Sequence, residues 1–200
     1  MNFRVDEQSI VDTVGDYFGD LMNAARIVDV ESISIALEHI KAKLSEGRSL
    51  YVAGNGGSAS SASHLVSDWL EASRNALGSS RVFCLGDNLA VLSRIANDIS
   101  YEHIFSRYLE SLGAEGDVLL LLSVGGKSRN LVHAATVARE RGMTVVSFLG
   151  QTGDLAELSD STVVLGSGDY GLTEDLHLSL VHAFVRCLND GRPQLCAELL

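Results

Sequence analysis

The sequence predicts an α/β fold in which a parallel sheet is covered by helices on both faces. Three observations carry this reading. Beyond residue 48, short apolar runs alternate with longer segments of helical periodicity, the pattern of strand–helix–strand units. The run Val118–Leu122 has no polar alternation, as expected of a strand covered on both sides. Glycines punctuate the runs, at Gly54, Gly56 and Gly57 after one of them and at Gly142 before another, where they let a strand turn or stop a helix.

The first 47 residues stand apart from that alternation. Val11, Val14, Phe18, Leu21 and Ala25 recur at helical spacing, as do Ile33, Ile35, Leu37, Ile40 and Leu44 in a second segment. Two amphipathic helices ahead of a complete sheet must pack on it, on each other or on another subunit, because a lone helix has little stability in water. Strands are then expected at Leu50–Ala53, Arg81–Leu85, Asp117–Leu122, Thr144–Leu149 and Ser161–Leu165. Helices fit between them at Ser58–Ala72, Leu89–Asn97, Tyr101–Leu112, Ser128–Arg141 and Thr173–Leu188. The chain reads as one domain over 1–200, with oligomerising helices in 1–47 and the sheet core in 48–190. It has no linker, repeat or low-complexity tract, and its only proline is Pro193.

Composition narrows the function. Two hundred residues with 46% hydrophobic and 20% charged side chains describe an ordinary globular protein. A formal net charge of −11 argues against broad nucleic-acid binding, which needs clustered Lys and Arg. A local nest of backbone N–H groups can still bind phosphate inside an acidic protein. The start MNFRVDEQ is too polar for a secretory signal, and no apolar run approaches a membrane span. Cys84, Cys187 and Cys196 are odd in number and lack a C-x-x-C spacing. They read as reduced thiols of a cytoplasmic protein.

The chemistry concentrates where strands end. Gly54-Asn55-Gly56-Gly57-Ser58 follows the first strand and opens a helix, which aims free N–H groups and a positive dipole end at an anion. His64 and Asp68 follow on one face of that helix. Ser123-Val124-Gly125-Gly126-Lys127-Ser128 follows the third strand with hydroxyls, flexible backbone and one ammonium, all suited to phosphate. Its GGKS is not a nucleotide loop, because the required first glycine falls on Leu121. Asn97-Asp98 ends a third segment. Glu174, Asp175, His177 and His182 lie on the last predicted helix. With His64 and Asp68 they offer imidazoles and carboxylates for zinc or for general acid–base work. His177 and His182 also sit among apolar residues, as hydrogen-bonded core histidines would. His39, His103 and His133 have no acidic partner at helical spacing and read as surface or capping groups.

Taken together these residues resemble the sugar isomerase (SIS) domain family, specifically the sedoheptulose 7-phosphate isomerase group. The resemblance spans nearly the whole chain. It rests on GNGGS at Gly54–Ser58, His64 six residues on, ANDISYEHIFSRYLE at Ala96–Glu110, EGDVLLLLS at Glu115–Ser123, and the pair His177 and His182. It implies a three-layer, flavodoxin-like domain with a central five-stranded parallel sheet, N-terminal helices in a bundle, and a cytoplasmic homotetramer with sites between subunits. It also implies aldose–ketose isomerisation of a heptose or related sugar phosphate by enediol proton transfer.

By position, the resemblance makes His64, Asp68, Glu174 and His182 zinc ligands, with Asp68, Glu174 and His182 catalytic. Asn55, Gly56, Gly57, Ser58, Asp98, Ser123, Lys127 and Ser128 become substrate-binding. This chain departs from the pattern at several places. Asp68 stands for a glutamate, Glu174 for a glutamine, Ala72 for an arginine, and S-V-G-G-K-S for a loop richer in hydroxyls. Either Asp68 and Glu174 compensate each other, with Lys127 replacing the arginine as a point charge, or isomerase geometry is lost. The rival to an isomerase is therefore a non-catalytic tetramer that binds a sugar phosphate or scaffolds a protein such as a replication initiator. Neither membrane nor nucleic acid is an expected partner.

Overall fold

Helix α1 spans Glu7–Arg26 and α2 spans Val30–Ser45. Asp29 caps α2, its carboxylate accepting from the Glu31 and Ser32 amides at 3.0 and 3.2 Å, which satisfies N–H groups the helix leaves free. The structure, a computed structural model, describes residues 7–78 and 80–192, without the side chains of residues 7 and 8. Pro193 and Cys196 lie outside the described residues.

The sheet consists of β1 (Leu50–Gly54), β2 (Val82–Cys84), β3 (Val118–Ser123), β4 (Thr144–Leu149) and β5 (Ser161–Val164). All neighbours pair in parallel, in the order β2-β1-β3-β4-β5, with Leu50 beside Val118 and Val118 beside Thr144. This is the flavodoxin-like order, and the chain reverses direction across the sheet between β1 and β3. Between the strands run α3 (Gly57–Leu77), α4 (Leu89–Asp98), α5 (Ile104–Leu112), α6 (Arg129–Glu140) and the short α7 (Asp154–Leu158), with α8 (Tyr170–Leu188) last. A 3-10 turn at Tyr101–His103 precedes α5.

The apolar strand runs divide by alternation into two cores. Leu50, Val52, Val118, Leu120 and Phe148 point to the face covered by α2, α3 and α8, with Trp69, Leu65, Val181 and Phe184 packed beneath them. Tyr51, Ala53, Leu119, Leu121 and Val145 point to the opposite face under α4 to α7. Both sides of every central strand are thus buried, which is why the sequence shows no polar alternation there. Trp69 ties α3 to α8, its indole donating to the Val181 carbonyl at 2.9 Å. Its ring lies 4.2 Å from that of Phe184. The two helices therefore run side by side from the carboxyl edge of the sheet, and their relative register positions the site.

Helix α1 differs from the rest. Ile10, Val11, Val14, Phe18 and Met22 are all at least 49% exposed, so its apolar residues mostly face away from the sheet. No helix among the described residues is long and apolar enough to cross a membrane.

Candidate active site

The loops after β1 and β3 face each other beyond the carboxyl ends of those strands, the switch point where open α/β sheets receive ligands. Gly56 caps α3 with φ +57°, a conformation natural to glycine and strained for other residues. Ser128 caps α6 with its hydroxyl unspent on the helix. Ser123 is buried, and its Oγ accepts from the Gly126 amide at 3.1 Å, holding the turn. Between the loops lies a cavity of about 500 Å³. It is lined by Asn55, Gly56, Gly57, Ser58, Ser123, Lys127 and Ser128, together with Tyr170 and Glu174 from the start of α8. Lys127 is exposed and makes no ion pair among the described residues. Two helix N-termini and one free ammonium thus converge on a single polar cavity, a setting suited to a phosphate.

Glu174 occupies one of those helix ends. Its carboxylate lies directly over Gly57, the first residue of α3, where an added Cβ would collide with all three carboxylate atoms. Neither Gly56 nor the first turn of α3 supplies an acidic or capping side chain of its own. A carboxylate from α8 therefore complements the dipole of α3, and the N-terminus of α6 is left for a bound anion.

Two turns further along α3, His64 and Asp68 meet His182 of α8. The His64 and His182 Nε2 atoms are 3.2 Å apart, and Asp68 Oδ2 lies 3.4 Å from the first and 3.7 Å from the second. These three residues are one group with the spacing to hold a metal ion. Tetrahedral zinc with bonds of about 2.0–2.1 Å sets its ligand atoms roughly 3.3 Å apart. The set of two imidazole nitrogens and one carboxylate oxygen fits that spacing. Glu174 is not part of this group. It sits eight residues before His182, roughly 12 Å along the helix.

The remaining predicted residues separate. Asp98 ends α4, where it accepts from Asn97 at 2.9 Å and faces Arg94 at 3.9 Å, and it does not line the cavity. His177 is wholly buried in the core, its Nε2 donating to the Phe148 carbonyl at 3.0 Å. Burial pushes its pKa down to about 4, partly opposed by that hydrogen bond. His133 does have an acidic partner, Glu102 at 3.9 Å, reached across the fold and so invisible to helical spacing. His103 bonds Ser100 at 2.8 Å, and His39 bonds Ser161 at the same distance. Cys84 and Cys187 are free thiols, and burial pushes the Cys84 thiol up to about 11, which keeps it protonated and unreactive at neutral pH.

Three residues beside the cavity were missed in the sequence. Tyr170 lines it, and Asn130 and Tyr101 hold Asn55. Asn130 stands two positions after Ser128, a hint from proximity alone.

The sequence model of the SIS domain family matches residues 16–150. A phosphoheptose isomerase of Bradyrhizobium sp. (strain BTAi1) is 36% identical over 140 residues, covering 70% of this chain and 71% of its own length. One from Thermodesulfovibrio yellowstonii is 31% identical over 163 residues, covering 81% of each. Among solved structures, phosphoheptose isomerase from Neisseria gonorrhoeae superposes with a TM-score of 0.79 at 26% identity, over 92% of this chain and 98% of that one. The Francisella tularensis enzyme superposes with a TM-score of 0.80 at 23% identity, over 90% and 98%, and speaks for the fold.

Proposed function

The chain belongs to the SIS domain family, and on that premise we propose that it is a phosphoheptose isomerase. It would convert sedoheptulose 7-phosphate, or a closely related ketose phosphate, to the aldose. The observation that carries this reading is the pairing of two sites along one helix. The phosphate-suited cavity lies at the start of α3, and the His64–Asp68–His182 group lies roughly 10 Å further along it. A seven-carbon sugar phosphate is long enough to place its phosphate in the first and its carbonyl carbon near the second.

In this reading Ser123, Ser128 and the N-terminus of α6 receive the phosphate, with Lys127 as its counter-charge. Glu174 and the remaining N–H of Asn55 face the hydroxylated chain from the other side of the cavity. The Asp68 carboxylate takes a proton from C1 of the ketose, and those electrons form the C1–C2 double bond. His182 delivers a proton to the C2 oxygen, giving the enediol. The proton held on the Asp68 carboxyl exchanges with water, and its delivery to C2 while the O1 proton leaves yields the aldehyde at C1. Atoms and charge balance with no external reductant. A carboxylate paired with an imidazole suits such work, since both lie within reach of one substrate atom pair. His64, Asp68 and His182 would also hold zinc. With the His182 Nε2 engaged as a ligand, Lewis acidity toward the carbonyl oxygen would take the place of the His182 proton, while Asp68 keeps a second carboxylate oxygen as the base.

The reading includes a cytoplasmic homotetramer. The exposed apolar residues of α1, Val11, Val14, Phe18 and Met22 among them, support burial against further copies. The free thiols of Cys84 and Cys187, the two cysteines among the described residues, suit a reducing compartment.

The test is incubation of the zinc-supplied protein with sedoheptulose 7-phosphate in D2O, followed by NMR. Aldose product carrying deuterium at C2 is expected. Binding of the sugar phosphate with neither product nor exchange would move the assignment to another substrate. Failure even to bind would favour the non-catalytic scaffold.

A further inference from the structure

Asn130 is 3% exposed and sits at the second position of α6, two residues after Ser128. Its side chain forms a reciprocal amide pair with Asn55. The Asn130 Nδ2 donates to Asn55 Oδ1 at 2.8 Å, and the Asn55 Nδ2 donates to Asn130 Oδ1 at 3.0 Å. The Tyr101 hydroxyl donates to the same Asn55 oxygen at 2.9 Å. That oxygen then has both lone pairs occupied, and Asn55 keeps one N–H for a ligand. The pair bridges the loop after β1 to the helix after β3, the two walls of the cavity.

Resting on the isomerase reading, we infer that Asn130 is a positioning residue that sets the distance between the wall that holds phosphate and the wall that holds the sugar chain. Buried behind Asn55, it acts on substrate through that side chain and through the start of α6. A ligand confined to one wall is indifferent to the spacing between them. A ligand that spans both is not, and misplacement by about 1 Å can cost roughly a hundredfold in rate.

The experiment compares Asn130→Ala with the wild-type full chain, zinc supplied, in two assays. One measures kcat and KM for the sugar phosphate. The other measures inhibition by inorganic phosphate, which touches the α6 wall alone. The expected result is a fall in kcat/KM of roughly tenfold to a hundredfold, with the inhibition constant for inorganic phosphate unchanged. An Asn55→Ala/Asn130→Ala double variant should be no worse than Asn55→Ala, as for residues that act as a unit. Tyr101→Phe, at an exposed position, should shift kcat/KM the same way by less, and it decides the matter if Asn130→Ala does not fold. Phosphate affinity falling in step with that of the substrate would overturn the inference and make Asn130 a prop for one loop. Unchanged kcat/KM in these variants would overturn it too. A wild-type chain that neither turns over sugar phosphate nor binds phosphate would instead overturn the isomerase reading, and this inference with it.

Discussion

Helix α8 carries two histidines five residues apart, and the fold gives them opposite fates. His177 points into the core with no exposure, one ring nitrogen on the Phe148 carbonyl and the other, Nδ1, buried without a hydrogen-bond partner among the described residues. The His182 side chain is 57% exposed and lies against His64 and Asp68. Five residues turn a helix by about 140°, enough to move a side chain from the sheet-facing side to the edge shared with α3. The residue type is the same, so helical phase alone decides which imidazole is available for proton transfer. The same phase puts Glu174 and His182 on the accessible side and Thr173, Leu176 and Leu180 beneath it.

The largest effect that could break this comparison is at His182. In the proposed mechanism His182→Ala lowers kcat by roughly a thousandfold. It moves stability by no more than about 0.5 kcal/mol, because the site is exposed. Asp68→Asn should behave alike. Steady-state kinetics beside thermal unfolding separates the two quantities, and turnover retained in both variants would remove the group from the chemistry.

His177 should show the reverse, a stability effect without a catalytic one. Its folded pKa of about 4 lies below the unfolded value of 6.5. As pH falls through that window the unfolded chain binds a proton that the folded chain refuses, so stability is lost on the acid side. The loss is on the order of 3 kcal/mol, complete near pH 4 and absent above about pH 6.5. His177→Gln keeps an N–H for the Phe148 carbonyl and should flatten the dependence of denaturant midpoint on pH between 4 and 6.5, while leaving turnover at neutral pH in place. An unaltered slope would show that other groups set the acid limit.

That contrast also marks what could be read from the chain. Strand β4 lies at Thr144–Leu149 as expected, and the other strands differ by single residues at their ends, because continuous apolar runs bounded by turn residues leave few alternatives. Helix α3 runs five residues past Ala72, to a stop at Gly78 with φ +69°. That glycine was a legible signal that the apolar pattern, fading after Ala72, obscured. A five-residue helix such as α7 has too few turns to show a period. At the site, both loops were legible because each follows directly on a strand. The amide pair between Asn55 and Asn130 was not, since it joins residues 75 apart in sequence and depends on how two loops meet. Nor could spacing alone show that Glu174 ends over Gly57 rather than beside His182, because that depends on the register of α8 against α3.

The smallest expected effect tests whether the accessible side of α8 also moors the N-terminal helix. The Tyr17 hydroxyl of α1 donates to Asp175 Oδ2 at 2.7 Å, one residue from Glu174. That hydrogen bond, then burial, then the charges of Asp175, Asp169 and Glu174 push the phenol up to about 12. A folded pKa above the ordinary 10 means that the contribution is fully present below pH 10 and is lost as pH rises through 12. Tyr17 is 37% exposed, and water screens the charge of its partner, so Tyr17→Phe should cost no more than about 1 kcal/mol at neutral pH. The gap in melting temperature between the two proteins should close between pH 10 and 12. A gap that ignored pH would mean that the hydroxyl contributes by some route other than Asp175. The attachment of α1 to α8 would then rest on apolar contact, and its placement would be set by whatever covers Val14, Phe18 and Met22 rather than by the charged start of α8.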